Sequence, residues 1–212
     1  MARELFRVGR TLEAADGFKA ALNRAQRIGD KRWVDSIPSL IMLGECYYQQ
    51  GNLALALEQY DAGLMLALEY PGWVDQLQVS TEQLAELEST NKGIQWFTKS
   101  RALRSVVIPA GVQIAIEPAK SPAIPQGGGA APSNLVTQLD ASEVLHTMGI
   151  ALMRRWEVLG PLAKHSPLNG ALDALFARGP HVAVPWLVSS WKVLQGISGL
   201  ASQMPVDSRQ LL

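Results

Sequence analysis

Residues 40–63, LIMLGECYYQQGNLALALEQYDAG, constrain the fold of this chain more than any other stretch. Leu40, Leu43, Gly44 and Tyr47 fall on one face of a first helix, and Ala56 and Tyr60 stand four apart on a second, with Gly51-Asn52 breaking the two. A small residue such as Gly44 or Ala56 lets two helix backbones approach, and a large one such as Tyr47 or Tyr60 fills the space beside that contact. A hairpin of this kind cannot bury its apolar face alone, so the pattern predicts neighbours of the same kind stacked on it.

The offsets resemble the tetratricopeptide repeat, whose signature is W-x2-L-G-x2-Y, a glycine at the turn, then A-x3-F. Leu40 stands at the tryptophan position, followed by Leu43, Gly44, Tyr47, Gly51, Ala56 and Tyr60, with Gly63 at the small position after the aromatic. A weaker copy precedes it at Ala2, Leu5, Gly9, Ala14, Phe18 and Ala21, beginning inside its own first helix. The period from Ala14 to Ala56 exceeds the commonest spacing of about 34 residues. The excess lies in RIGDKRWVDSIPS, where Gly29-Asp30-Lys31-Arg32 is similar to the loop of the longer, roughly 40-residue repeats. The resemblance covers residues 2–70. It implies that the first helix of each hairpin lines a concave groove receiving a peptide or partner helix, so Ile41, Glu45, Tyr48 and Gln49 would face it, with Arg3, Phe6 and Arg7 from the partial copy. Family members that clamp a carboxylate use lysine and asparagine where this chain has Ile41 and Glu45, so no such clamp is expected. Tyr48 and Phe6 suit packing between repeats equally well.

Composition narrows the classes. Of 212 residues, 48% are hydrophobic, enough to bury a core in one or two domains. Basic and acidic residues balance at 19 each, so no global field draws nucleic acid or an anionic membrane. The single cysteine excludes an internal disulfide and suggests a reducing compartment. The N-terminal MARELFRVGRTLEAAD is charged throughout, unlike a secretory leader, and no apolar run approaches bilayer length, so a cytoplasmic location is expected.

Along the chain, helices are expected at 2–10, 11–28, 34–50 and 53–69. Ser80 with Gln83 has the form of a capping box before a short helix at 80–89, and a second short segment falls near 93–103. SVVIPAGVQIAIEP is β-branched, with Val112, Ile114 and Ile116 alternating with Gln113, Ala115 and Glu117, which predicts one or two short extended pieces. Residues 118–134 hold four prolines and Gly127-Gly128-Gly129, a linker composition. Asp140 with Glu143 then caps a helix running to Gly160-Pro161, Ser166-Pro167 opens one that ends at Gly179-Pro180, and Pro185 opens another closed by Pro205. The resulting division is 1–75 repeat pair, 76–117 connecting segment, 118–134 linker and 135–212 helical region.

Catalytic chemistry is hard to find. Glu143 and His146 stand three apart as in half of a carboxylate-bridged di-iron site, but the second Glu-x-x-His is missing. His165 and His181 fall beside turn residues and are expected in solvent. Cys46 has no base nearby in sequence and reads as a small buried apolar residue. Gly127-Gly128-Gly129 lacks the lysine and hydroxyl residue of a phosphate loop. Lys92, Lys99, Arg101 and Arg104 around Trp96 and Phe97 offer stacking and charge for single-stranded nucleic acid, yet in a neutral chain they read better as a sealed stack end with a solvated rim. Arg154-Arg155 likewise reads as a solvated pair.

The expected fold is therefore mostly α: antiparallel helical hairpins of an α-solenoid, an irregular or weakly β segment, a Pro/Gly-rich linker and a further helical region. The expected function is a non-catalytic protein-binding scaffold taking a protein or peptide partner, without cofactor, nucleic acid or membrane. Two repeats are fewer than the three that usually suffice, so either the later helices or another chain must complete the core. The truncated first helix leaves Met1–Phe6 as a possible surface for homo-oligomers. The rival expectation is a ligand-binding or enzymatic pocket between the repeats and the helices carrying Trp156, Trp186 and Trp191, with His146 and His165 nearby in sequence.

Overall fold

A computed structural model describes residues 1–28, 30–78, 112–116, 135–181 and 184–202. Two helical hairpins come first: α1 (Ala2–Arg7) with α2 (Thr11–Arg24), then α3 (Ile37–Gln49) with α4 (Leu53–Glu69). Both hairpins turn on a glycine in the left-handed region, Gly9 at φ 81° and Gly51 at φ 77°, a conformation that a side chain resists. The equivalence of these turns shows that the weaker N-terminal copy folds like the stronger one. Asn52 caps α4, its side chain accepting from the Leu55 amide at 3.2 Å.

Helices α3 and α4 meet where the sequence places its small residues. A Cβ built on Gly44 would lie 2.6 Å from the Tyr60 ring and 3.1 Å from the Ala56 carbonyl oxygen. Tyr60 is fully buried and cannot retreat. Gly44→Ala should therefore destabilise the protein despite alanine's better helix propensity of about 1 kcal/mol, because overpacking costs up to about 3 kcal/mol. A net loss of about 1–2 kcal/mol, or roughly 3–6 °C in a thermal melt, is expected; an unchanged midpoint would mean that the two helices are not held at this distance.

Between the hairpins, the long inter-repeat loop forms a small antiparallel ladder of β1 (Arg27–Ile28) and β2 (Lys31–Arg32), closing on a 3₁₀ turn at Val34–Ser36. Helix α2 thus stops at Arg24 rather than 28, because residues 27–28 are taken by the ladder. Likewise α1 stops at Arg7, since Gly9 must turn the chain. After α4, a 3₁₀ turn (Trp73–Gln76) leads into β3 (Leu77–Gln78), which pairs antiparallel with β4 (Val112–Ile116), itself paired with β5 (Leu135–Leu139). The alternation at 112–116 predicts β4, and Val112 and Ile114 are both fully buried. Residues 135–139 are a strand rather than part of the helical region, drawn into register by β4, with Val112 opposite Leu139 and Ile114 opposite Thr137. The helices expected at 80–89 and 93–103, the first extended piece, the linker at 118–134 and the Pro205 stop lie outside the described residues.

Strand β5 hands directly to α5 (Ala141–Leu159), capped by Asp140, whose side chain accepts from the Glu143 amide at 2.9 Å. A 3₁₀ turn (Gly160–His165), α6 (Pro167–Arg178) and α7 (Pro185–Ser202) follow. Val144, Leu145, Met148, Ala151 and Leu152 of α5 join Ile37, Ile41, Tyr60 and Leu64 of the repeats, and Trp186, Leu187 and Trp191 of α7, in one contiguous core. The later helices therefore complete the core that two repeats cannot close alone. The protein is mostly α, built of helical hairpins with two small antiparallel sheets among the described residues.

Candidate interaction site

The inner side of the second hairpin is where the chain's own chemistry concentrates. Glu45 sits on α3 among Leu43, Gly44 and Cys46 and is 6% exposed, so its charge must be paired. The Tyr60 hydroxyl donates to Glu45 Oε1 at 2.5 Å, and Arg154 of α5 donates from Nε to Oε1 at 2.9 Å and from Nη2 to Oε2 at 3.2 Å. The same guanidinium lies 4.1 Å over the Tyr48 ring and donates from Nη1 to Glu157 Oε2 at 2.7 Å, an oxygen that also accepts from the Tyr48 hydroxyl at 3.2 Å. Burial first, then the Glu45 carboxylate, pushes the Tyr60 phenol well above its ordinary value, so it stays a donor. The bond to Glu45 holds the Arg154 guanidinium more firmly protonated, and Arg154 in turn lowers the Glu157 carboxyl.

One residue on, Arg155 is buried at 2% exposure and makes a second set of contacts. Its Nε donates to Asp61 Oδ1 of α4 at 2.5 Å, Nη2 to the Ser166 hydroxyl at 3.1 Å and Nη1 to the Asn169 side-chain oxygen at the start of α6. The expectation of a solvated arginine pair is overturned. Consecutive helical residues diverge by about 100°, so Arg154 reaches α3 while Arg155 reaches α4 and α6, and both find acids or amides in place of water. Ser166 does not cap α6 through its side chain; its hydroxyl serves Arg155 instead.

The residues that the family correspondence assigns to the groove separate here. Ile41 is fully buried against α4 at Gly63. Glu45 and Tyr48 meet Arg154 of α5, and Gln49 is exposed beyond them. Phe6 is half-buried against the core, and Arg7 is exposed and bonded to Glu4. Arg3 pairs with Glu143 of α5. Arg3 and Met42 from the first helices, with Asp140, Glu143, His146 and Ile150 from the start of α5, line an open cleft of about 410 Å³. Composition gave no sign of it, because most of its lining comes from α5, far along the chain from Arg3 and Met42. A signal did exist for the buried network: a lone glutamate in the apolar run IMLGECYY requires a cation from elsewhere in the chain.

The other candidates resolve simply. Glu143 is engaged by Arg3 and His146 is exposed; among the described residues no group of three or more His, Cys, Asp and Glu is placed to hold a metal ion. Burial, then the neighbouring Glu45, raises the Cys46 thiol to about 11, so it is no thiolate near neutrality. Trp186 and Trp191 are core, the latter donating to the Phe176 carbonyl at 3.0 Å and meeting the Phe176 ring edge-on, while Trp156 is half-buried. His165 is exposed, and the exposed His181 lies 2.9 Å from Asp75.

These features define a helical-repeat hairpin pair whose inner side grips a helix. Residues 1–67 match the family model of the tetratricopeptide repeat, a match confined to that segment of the chain. Repeats of this family generally mediate protein–protein interactions. No curated protein and no solved structure matches the chain. No helix among the described residues is long and apolar enough to cross a membrane.

Proposed function

We propose that the chain is a non-catalytic protein-interaction module in which the repeat pair, with α5 fixed across its inner side, presents the remaining cleft between α1, α3 and α5 to a segment of a protein partner. The observation that carries this reading is the cleft itself: Met42 and Ile150 supply apolar surface, Arg3, Asp140 and Glu143 supply charges of both signs, and His146 adds a polar ring. Such a lining suits a peptide or helix with one apolar anchor and polar flanks. The face marked by Glu45 and Tyr48 is satisfied within the chain, so a partner meets the repeats beside α5 rather than in its place.

The test is affinity capture from native extract with mass spectrometry, comparing wild type, Met42→Glu and a control, Leu12→Glu, whose parent side chain is 71% exposed and away from the cleft. Circular dichroism checks that each variant folds. A partner held by wild type and control and lost with Met42→Glu is expected. Partners held equally by all three would remove the cleft from the function.

A further inference from the structure

Beside that cleft, across the edge of α5 that carries His146 and Ile150, lies a groove whose lining comes from α5 and α7. Its walls are α5 and α7, which run side by side: Ser142, Leu145 and His146 lie near Ser190, Val193 and Leu194, and Met153, Trp156 and Glu157 near Ile197 and Leu200. Two hollows of about 350 and 420 Å³ share Met153 and Ile197 and so form one continuous trough. Leu145, Gly149 and Leu194 make its buried floor, and Met153 (49% exposed), Val193 (60%) and Leu200 (71%) stand at its rim. Val193, Ile197 and Leu200 recur at helical spacing on α7, and His146, Ile150, Met153 and Glu157 do so on α5, so the unpartnered surface is an apolar ridge beside an apolar trough. Contiguous exposed apolar surface of this kind marks an interaction site in a soluble chain.

We infer that this face pairs with the same face of a second copy of the chain, α5 running antiparallel to α5 about a two-fold axis at its middle. The order of polar groups along the ridge selects this pairing, an imidazole donor at one end and a carboxylate acceptor at the other. His146 stands at one end and Glu157 at the other, with Ile150 and Met153 between them at equal distances from the midpoint. Antiparallel self-pairing about that midpoint sets His146 of each copy beside Glu157 of the other and Ile150 beside Met153. Parallel pairing would instead oppose like with like. A two-fold interface must be self-complementary in this sense. Both internal bonds to Glu157, from Arg154 and Tyr48, end on Oε2, and its side chain remains 46% exposed, so the His146 imidazole of a second copy has access. The ridge of each copy then lies in the trough of the other, covering Met153, Val193 and Leu200. The chain's zero net charge adds no long-range repulsion between copies. This interface shares His146 and Ile150 with the cleft proposed for a partner, so the two meet along that edge of α5, and it is distinct from the N-terminal end, where Met1, Val8 and Leu12 are exposed.

Sedimentation equilibrium of the full chain tests this, with four variants: Met153→Glu, Val193→Lys, His146→Glu and, as a control on the N-terminal end, Leu12→Glu. Wild type and Leu12→Glu are expected to be dimers, and each of the other three should raise the dissociation constant at least about tenfold with an unchanged circular dichroism spectrum. Register is tested separately. A mixture of singly substituted Ile150→Cys and Met153→Cys chains should cross-link under mild oxidation more completely than either alone, Cys46 being buried. A wild type that stays monomeric up to about 1 mM, a dimer lost with Leu12→Glu but kept with Met153→Glu and Val193→Lys, or cross-linking no better in the mixture than in the single variants would each overturn the inference.

Discussion

Arg155→Ala should lower the thermal midpoint by about 8–15 °C. The guanidinium is 2% exposed and its three donors serve Asp61 on α4, Ser166 before α6 and Asn169 within it. Truncation leaves Asn169, itself 4% exposed, without its donor, and leaves the Asp61 carboxylate uncompensated at the edge of the core. Breaking a buried pair from one side costs about 3–5 kcal/mol, and for a chain of this size each kcal/mol moves the midpoint by roughly 2–4 °C. Asp61→Asn should cost less, because the asparagine side-chain oxygen still accepts from Arg155 Nε while Ser166 and Asn169 keep accepting from the other two nitrogens. A similar loss for both variants would show that the attraction between the two charges, rather than the arginine's place in the core, matters most.

Glu45→Ala should cost about 2–4 kcal/mol, and part of that loss should be recoverable by a second deletion. The carboxylate is the acceptor for the fully buried Tyr60 hydroxyl, which is left unsatisfied when it goes, a penalty of about 1–3 kcal/mol. Arg154 suffers less, since Glu157 and the Tyr48 ring still hold it and its side chain is 26% exposed. Adding Tyr60→Phe to Glu45→Ala removes the orphaned hydroxyl, so the double variant should be more stable than Glu45→Ala alone by about 1 kcal/mol. Equilibrium unfolding in urea measures all three. Strictly additive losses would mean that the two side chains do not share this bond.

The hairpins were legible because their information is local. Gly44, Ala56 and Tyr60 fix how closely α3 and α4 approach, Gly51 fixes the turn, and α4 runs over the same residues, 53–69, that periodicity assigns to it. The later helices were legible from their punctuation, Asp140 at one end and Gly160, Ser166-Pro167 and Gly179 between them. What sequence reading missed depends on contacts between distant segments. Strand β5 is five residues whose extended state is set by β4, and the β1–β2 ladder is two residues on each side. The arginine pair looked like a solvated face because exposure is the rule for adjacent charges, and only the position of α5 against α3 and α4 reverses it. The proposed cleft was invisible for the same reason: Arg3 and Met42 become part of a surface only where Glu143 and His146 meet them.

The repeat pair and the C-terminal helices share one core and are expected to open together. Native-state hydrogen exchange on the intact chain measures this most directly, comparing protected amides of α4 with those of α5, in wild type and in Arg155→Ala. The slowest amides of both helices should report the same opening free energy and lose the same amount on substitution. A lower opening energy for α5, with α4 protection unchanged by Arg155→Ala, would show instead a repeat pair that stands without its neighbours.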